Sequence, residues 1–110
     1  MSTEYCLVLC TCPDSDSAHT LAENLVTRRL AACVNILPGL TSVYPWQGNI
    51  ETASEHLLFI KTESARYAAL ETFITQNHPY SVPEIIFLPI PQGSPDYLAW
   101  ISAWLQRGES

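Results

Sequence analysis

Cys33-Val34-Asn35-Ile36-Leu37, a break at Pro38-Gly39, then Leu40-Thr41-Ser42-Val43-Tyr44-Pro45-Trp46, a Gln47-Gly48-Asn49 turn and a return from Ile50 to Thr62 form the stretch that decides the fold. Two strands joined by a tight turn read as one long hairpin. Pro38-Gly39 removes a ladder donor and a side chain in the middle of the first strand, which predicts a bulge or kink there. In the returning strand Leu57-Leu58-Phe59-Ile60 is apolar on both faces, as a strand central in a sheet requires.

Working outward, Tyr5 to Cys12 is an apolar run of strand formers, and Pro13-Asp14-Ser15-Asp16-Ser17 follows as a turn carrying several helix N-caps. Between this turn and the hairpin, residues 18–32 place Ala18, Leu21, Ala22, Leu25, Val26 and Ala32 mostly at three- and four-residue spacing, with Arg28 and Arg29 near the C-terminal end, where positive charge complements the helix dipole. Beyond the hairpin, residues 63–77 set Tyr67, Leu70, Phe73 and Ile74 on one helical stripe, and His78-Pro79 ends it because proline disfavours helical geometry in its predecessor. Glu84 to Ile90 is a further apolar strand, in which Pro89 suits an edge or strand end. Ser94-Pro95 is an N-cap followed by proline at the first helical position, and Tyr97, Leu98, Trp100, Ile101, Trp104 and Leu105 give a closing helix a broad apolar face. The order β-α-β-β-α-β plus a C-terminal helix predicts an α+β, ferredoxin-like antiparallel sheet with helices on one face, in a single domain over residues 1–110.

Composition narrows function. The chain of 110 residues is 47% hydrophobic and 15% charged, which excludes disorder, and its net charge of −6 repels a phosphate backbone, so no nucleic-acid partner is expected. No apolar run approaches the roughly 20 residues that span a bilayer, and Met1-Ser2-Thr3-Glu4 lacks the positive start of a signal peptide. A cytoplasmic protein with reduced thiols and no membrane partner is the expectation. Strands of about 13 residues at roughly 3.3 Å each would run about 43 Å, against a radius of gyration near 13 Å for a domain of this size. The hairpin should therefore overhang its core, and Tyr44, Pro45 and Trp46 at its tip should bury against another subunit, unless the hairpin folds back at Pro38-Gly39. Trp46 is the foremost subunit anchor.

Three blocks, Leu9-Cys10-Thr11-Cys12-Pro13, Leu30-Ala31-Ala32-Cys33-Val34-Asn35 and Ser42-Val43-Tyr44-Pro45-Trp46-Gln47-Gly48, resemble the divalent-cation tolerance protein CutA family. Lys61-Thr62, His78-Pro79-Tyr80-Ser81-Val82-Pro83-Glu84 and Tyr97-Leu98-Ala99-Trp100 continue the resemblance, in family order from about Leu7 to Leu105. It implies a homotrimer of ferredoxin-like subunits with intersubunit strand pairing, a bacterial cytosolic location, tolerance of copper and other divalent metals, no enzymatic activity and no organic cofactor. The trimeric build is also similar to that of the PII signalling proteins, which leaves open a sensor or scaffold binding a small anion or a partner protein in intersubunit clefts. By the resemblance, metal falls to Cys10 and His78. Members with a stronger copper case carry a His-His pair where this chain has Asn77-His78.

Read as residues, Cys6, Cys10 and Cys12 share the even-numbered face of the first strand, where they line up without converging. A Cys10–Cys12 disulfide is disfavoured at a Cα separation of roughly 6.6 Å with parallel side chains. Two thiolates alone leave a metal short of ligands, and Cys6, Cys10 and Cys33 also read as buried apolar residues. His78 reads either as a ligand or as a group serving the last helical carbonyls. Glu84, six residues on across a proline-stiffened loop, reads as a second-shell carboxylate for His78 or a structural hydrogen-bond acceptor. Lys61 reads as an anion-binding residue in an intersubunit cleft or as a solvated strand end. His19 and His56 have no acidic or cysteine neighbour at ligand spacing and read as surface residues. Trp100 and Trp104, four apart on the apolar helix face, belong to the core or to an interface. The M-x-C-x-x-C loop of a metallochaperone is absent, the Pro13–Ser17 turn is anionic where an acylphosphatase needs an arginine-bearing phosphate loop, and the strand around Phe59 is aliphatic where an RNA-binding sheet needs exposed aromatics.

Overall fold

A computed structural model describes residues 4–106. Eight elements follow one another: β1 (Tyr5–Cys12), α1 (Ser15–Thr27), β2 (Cys33–Trp46), β3 (Asn49–Glu63), a 3-10 turn (Ser64–Arg66), α2 (Tyr67–Asn77), β4 (Ile86–Ile90) and α3 (Pro95–Gln106). The four strands form one antiparallel sheet in the order β2-β3-β1-β4. This is the ferredoxin-like arrangement that the alternation of periods predicts.

Period-two alternation sends Cys6, Val8, Cys10 and Cys12 of β1, with Leu58 and Ile60 of β3, to one face of the sheet, all fully buried. There they meet Leu21 and Leu25 of α1 and Leu70 and Ile74 of α2. α3 builds a second, smaller core from Ile101 and Leu105 with Ala32, against Tyr5, Leu98 and Trp104. It is pinned by the Tyr5 hydroxyl to Ser102 at 2.6 Å, by Ser102 donating to Glu63, and by Trp104 Nε1 donating to the Val26 carbonyl at 3.0 Å. Tyr5 and Glu63 have the parity of the face away from the main core, so the C-terminal helix closes the end of the sheet rather than joining the layer of α1 and α2.

Boundaries differ from the sequence reading at α1, at the hairpin turn, at β4 and at α2, which begins at Tyr67 after the 3-10 turn and not at residue 63. α1 is capped by Asp14, which accepts from the Ser17 amide at 2.8 Å, and it spans 15–27 rather than 18–32. Its end is a Schellman turn: Leu30 N–H bonds the Leu25 carbonyl, Arg29 N–H bonds the Val26 carbonyl, and Arg29 takes the left-handed position at φ 59°. Stacking of its guanidinium on Trp104, 3.5 Å from the ring centroid, accompanies the unusual backbone of a non-glycine residue there. The arginines thus lie beyond the last turn of the helix, not within it. The hairpin turns on Gln47 (φ 50°) and Gly48 (φ 83°), the two left-handed residues of a type I′ turn, so β3 begins at Asn49. β4 begins at Ile86, opposite Leu9, and not at Glu84. Pro89 lies on this edge strand, as expected for a residue with no ladder donor.

Pro38-Gly39 is a bulge, marked by a register shift between Leu37 and Leu40 and by Gly39 at φ 74°. The hairpin does not fold back. Ladder pairing runs on to Trp46 and Asn49, while β1 covers β3 only over residues 56–63, and the long axis of the described chain reaches 47 Å. Val43, Trp46 and Ile50 on the overhang are 67%, 59% and 74% exposed, and Tyr44 is exposed beside them. Trp100, read as core or interface, is half exposed in this chain and stacks on Tyr97 at a centroid distance of 5.6 Å, and Trp104 packs against the second core.

Ile60 lies at the centre of the sheet with no exposed surface. Ile60→Ala is expected to cost about 2–5 kcal/mol of stability through lost burial and an unfilled cavity, measured as a lower denaturation midpoint at fixed protein concentration.

Candidate metal centre

β4 pairs with β1 only from Tyr5 to Leu9, so the last three residues of β1 run past the end of their neighbour. The segment between α2 and β4 fills that space. Pro79 forces His78 out of the helix into an extended conformation (φ −104°, ψ 144°), which turns its ring back toward β1. His78 Nδ1 accepts from the Tyr80 amide at 3.0 Å, which puts the ring proton on Nε2, and Nε2–H donates to the Thr11 carbonyl at 2.7 Å. Nε2 lies 3.7 Å from Cys12 Sγ. The sulfurs of Cys10 and Cys12 and a ring nitrogen of His78 all fall within 4.8 Å of one another.

Both cysteines are free thiols with no exposed surface. Their protons are not equivalent. A hydrogen bond with Cys12, then burial, pushes the Cys10 thiol well above its ordinary range, while the same bond lowers Cys12. The two thiols titrate as a pair of which Cys12 is the more acidic member, and the Cys10 thiol faces the Thr11 carbonyl at 3.8 Å. Cys6 has no thiol partner of this kind, and burial raises it to about 11.

Beyond His78, Tyr80 carries the network into the hairpin. Its hydroxyl donates to Glu55 Oε2 at 2.6 Å, and Ser42 Oγ donates to Glu55 Oε1 at 2.6 Å. Glu55 is buried, and Tyr80 is held protonated by burial and by that carboxylate. One chain of contacts thus joins β1, the segment after α2, β3 and β2 just past the Pro38-Gly39 bulge.

The structure brings Cys10 and His78 together as the resemblance implies, and adds Cys12. The expectation that the strand thiols line up without converging fails for Cys10 and Cys12, because the end of β1 lies beyond β4 and His78 closes over it. Equal parity of Cys10 and Cys12 was the available signal. Glu84 is exposed and is not hydrogen-bonded to His78, whose two nitrogens are taken by Thr11 and Tyr80; it acts on Cys10 only through its charge. Lys61 lies on the other sheet face near α3, its ammonium 5.6 Å from the Tyr97 ring centroid. His19 is exposed and bonded to Ser15 within its own helix, as a surface residue should be. His56 is not a plain surface residue: it is half-buried and sits directly across the ladder from Cys12. Two sulfurs and an imidazole form a donor set for borderline and soft ions such as zinc and copper, not for magnesium or calcium.

Comparison with known proteins agrees with this chemistry. The family model for the CutA1 divalent ion tolerance protein matches residues 6–104. The divalent-cation tolerance protein CutA of Pectobacterium atrosepticum is 45% identical over 100 residues, which are 91% of each chain. The protein CutA homolog of Xenopus laevis is 50% identical over 91 residues, 83% of this chain, and the matched region spans only 60% of the frog protein. The crystal structure of CutA from Xylella fastidiosa superposes with a TM-score of 0.91 at 44% identity, covering 94% of this chain and 99% of that one.

The thiols also predict an alkaline limit. A group whose pKa is higher in the folded than in the unfolded chain contributes stability that is intact below the unfolded value and lost as pH rises through the folded one. For Cys6 that window runs from its ordinary 9.0 to about 11. Urea midpoints should fall as pH rises through this range, and the fall should be shallower in Cys6→Ala.

Proposed function

The chain belongs to the CutA1 divalent ion tolerance family, and we propose that it serves that tolerance by binding a copper or zinc ion at Cys10, Cys12 and His78, as a non-enzymatic homotrimer in the cytosol. The observation that carries the reading is the approach of three soft or borderline donor atoms to within 4.8 Å at the end of one strand. Cys12 supplies a third donor where Asn77, an amide, offers a poor soft-metal ligand. A cytosolic location suits thiols that must stay reduced to bind. Among the described residues no helix is long and apolar enough to cross a membrane.

Binding has a defined cost. His78 Nε2 presents its lone pair only after the proton moves to Nδ1, which breaks the bonds to Thr11 and Tyr80, each worth about 1 kcal/mol. Two thiolates and an imidazole repay this only for an ion of high thiolate affinity. Metal capture therefore loosens the segment that holds Tyr80 on Glu55. The trimer is supported by the uncovered hairpin, by the free edges of β2 and β4, and by the apolar sheet face, where Ile86 and Leu88 remain exposed.

Titration of reduced protein with Cu(I), Cu(II) and Zn(II) against a competing chelator tests the site. Saturable binding at micromolar or tighter affinity is expected, abolished by Cys10→Ser and weakened by roughly tenfold or more in His78→Ala. Weak binding indifferent to both substitutions would sink the reading. Sedimentation velocity is expected to show a trimer, and Trp46→Ala with Val43→Asp to shift it toward smaller species; a wild-type monomer would refute the assembly.

A further inference from the structure

Among the described residues, two buried side-chain nitrogens lack any hydrogen-bond partner, Arg29 Nη1 and His56 Nδ1. The first belongs to a guanidinium stacked on Trp104 and is accounted for by that packing. Nothing in the fold accounts for the second. A histidine normally spends both ring nitrogens, and a buried one left bare is unfavourable unless something absent from the free protein takes it up.

His56 pairs with Cys12 across the β1–β3 ladder. Residues directly opposite in an antiparallel pair point to the same face, with Cβ atoms about 4.5–5.5 Å apart. Leu58 and Ile60, of the same parity as His56, are buried on the core face together with Cys10 and Cys12. The orphaned imidazole therefore stands on the side of the sheet where the two sulfurs lie.

We propose that His56 is the fourth ligand of the metal centre, binding through Nδ1, so that a divalent ion is held by Cys10, Cys12, His78 and His56; this rests on the metal-binding reading above. Charge and coordination number both point this way. A tetrahedral divalent ion needs a fourth donor beyond the three that already converge. Two thiolates exactly neutralise a doubly charged ion, so a neutral imidazole completes the shell without leaving net charge in a buried site. A carboxylate from Asp14, Glu55 or Glu84 would leave one, at a desolvation cost. Asp14 and Glu55 are in any case engaged elsewhere, with the Ser17 amide and with Tyr80 and Ser42. Around Cu(I) the same two thiolates would leave a net negative charge, so the charge balance of the set favours divalent over monovalent ions.

The test is Co(II) and Zn(II) titration of the reduced full chain, with His56→Ala, His56→Gln and Cys12→Ser, each first checked for wild-type thermal unfolding without metal. Cobalt reports its surroundings directly: thiolate ligation gives an ultraviolet charge-transfer band, and tetrahedral four-coordination gives intense visible bands. Wild type should show both. Either His56 variant should keep the charge-transfer band, lose the tetrahedral visible intensity and bind at least tenfold more weakly. Nitrogen-15 spectra should show His56 Nδ1 shifting when zinc is added. Wild-type visible bands and affinity retained in both His56 variants, with an unshifted Nδ1, would overturn the role of His56 and leave the three-ligand site standing. Absence of the charge-transfer band from wild type would overturn the metal centre itself and this proposal with it.

Discussion

The bond from His78 Nε2–H to the Thr11 carbonyl closes the sheet at the place where β4 runs out. A strand that outlasts its neighbour leaves backbone groups that must be paired, and an unpaired buried carbonyl costs as much as a lost hydrogen bond. Here the group that answers is the first residue after α2, released from the helix by Pro79. Everything chemically distinctive about the molecule hangs on that closure. It brings an imidazole over two buried thiols and fixes the tautomer of that imidazole. It also sets Tyr80 against Glu55, at the root of the overhanging hairpin.

This makes the centre a guarded site rather than an open one. The sulfurs have no exposed surface, and the imidazole is occupied at both nitrogens. On the metal-binding proposal an ion enters only by replacing these hydrogen bonds, which favours ions that bind thiolate strongly over abundant hard cations. Within the thiol pair, interaction with Cys10 holds Cys12 below its ordinary range, while the same interaction and burial hold Cys10 well above its own.

The path Cys12, His78, Tyr80, Glu55, Ser42 also ties the site to the hairpin, which carries the exposed Val43, Trp46 and Ile50. Displacing His78 pulls on the residue that donates to Glu55, and Glu55 bridges to β2 just past its bulge. The thiol–imidazole cluster and the overhanging hairpin thus share one buried carboxylate.

Much of this was written in the chain. The period-two run of Tyr5–Cys12, the apolar stripes of the helices, the breaks at Pro13, Pro38-Gly39, Gln47-Gly48 and Pro79, and the excess length of the hairpin fix element types and order, because each is a local property of a few neighbouring residues. The end of α1 was not legible, since Arg29 adopts a left-handed backbone in company with Trp104, 75 positions along the chain. Nor was the partner of His78: sequence distance favoured Glu84, six residues away, over Thr11, which the sheet brings close from 67 positions off. Cys12 and His56 are the sharpest case. Nothing near either residue marks them as a pair, because the register of β1 on β3 is set by side chains far apart in sequence that must all reach the same core face at once. Which residues alternate inward follows from local periodicity; which of them meet follows from the folded sheet, because strand pairing is a collective choice of the whole sheet and not of any one segment.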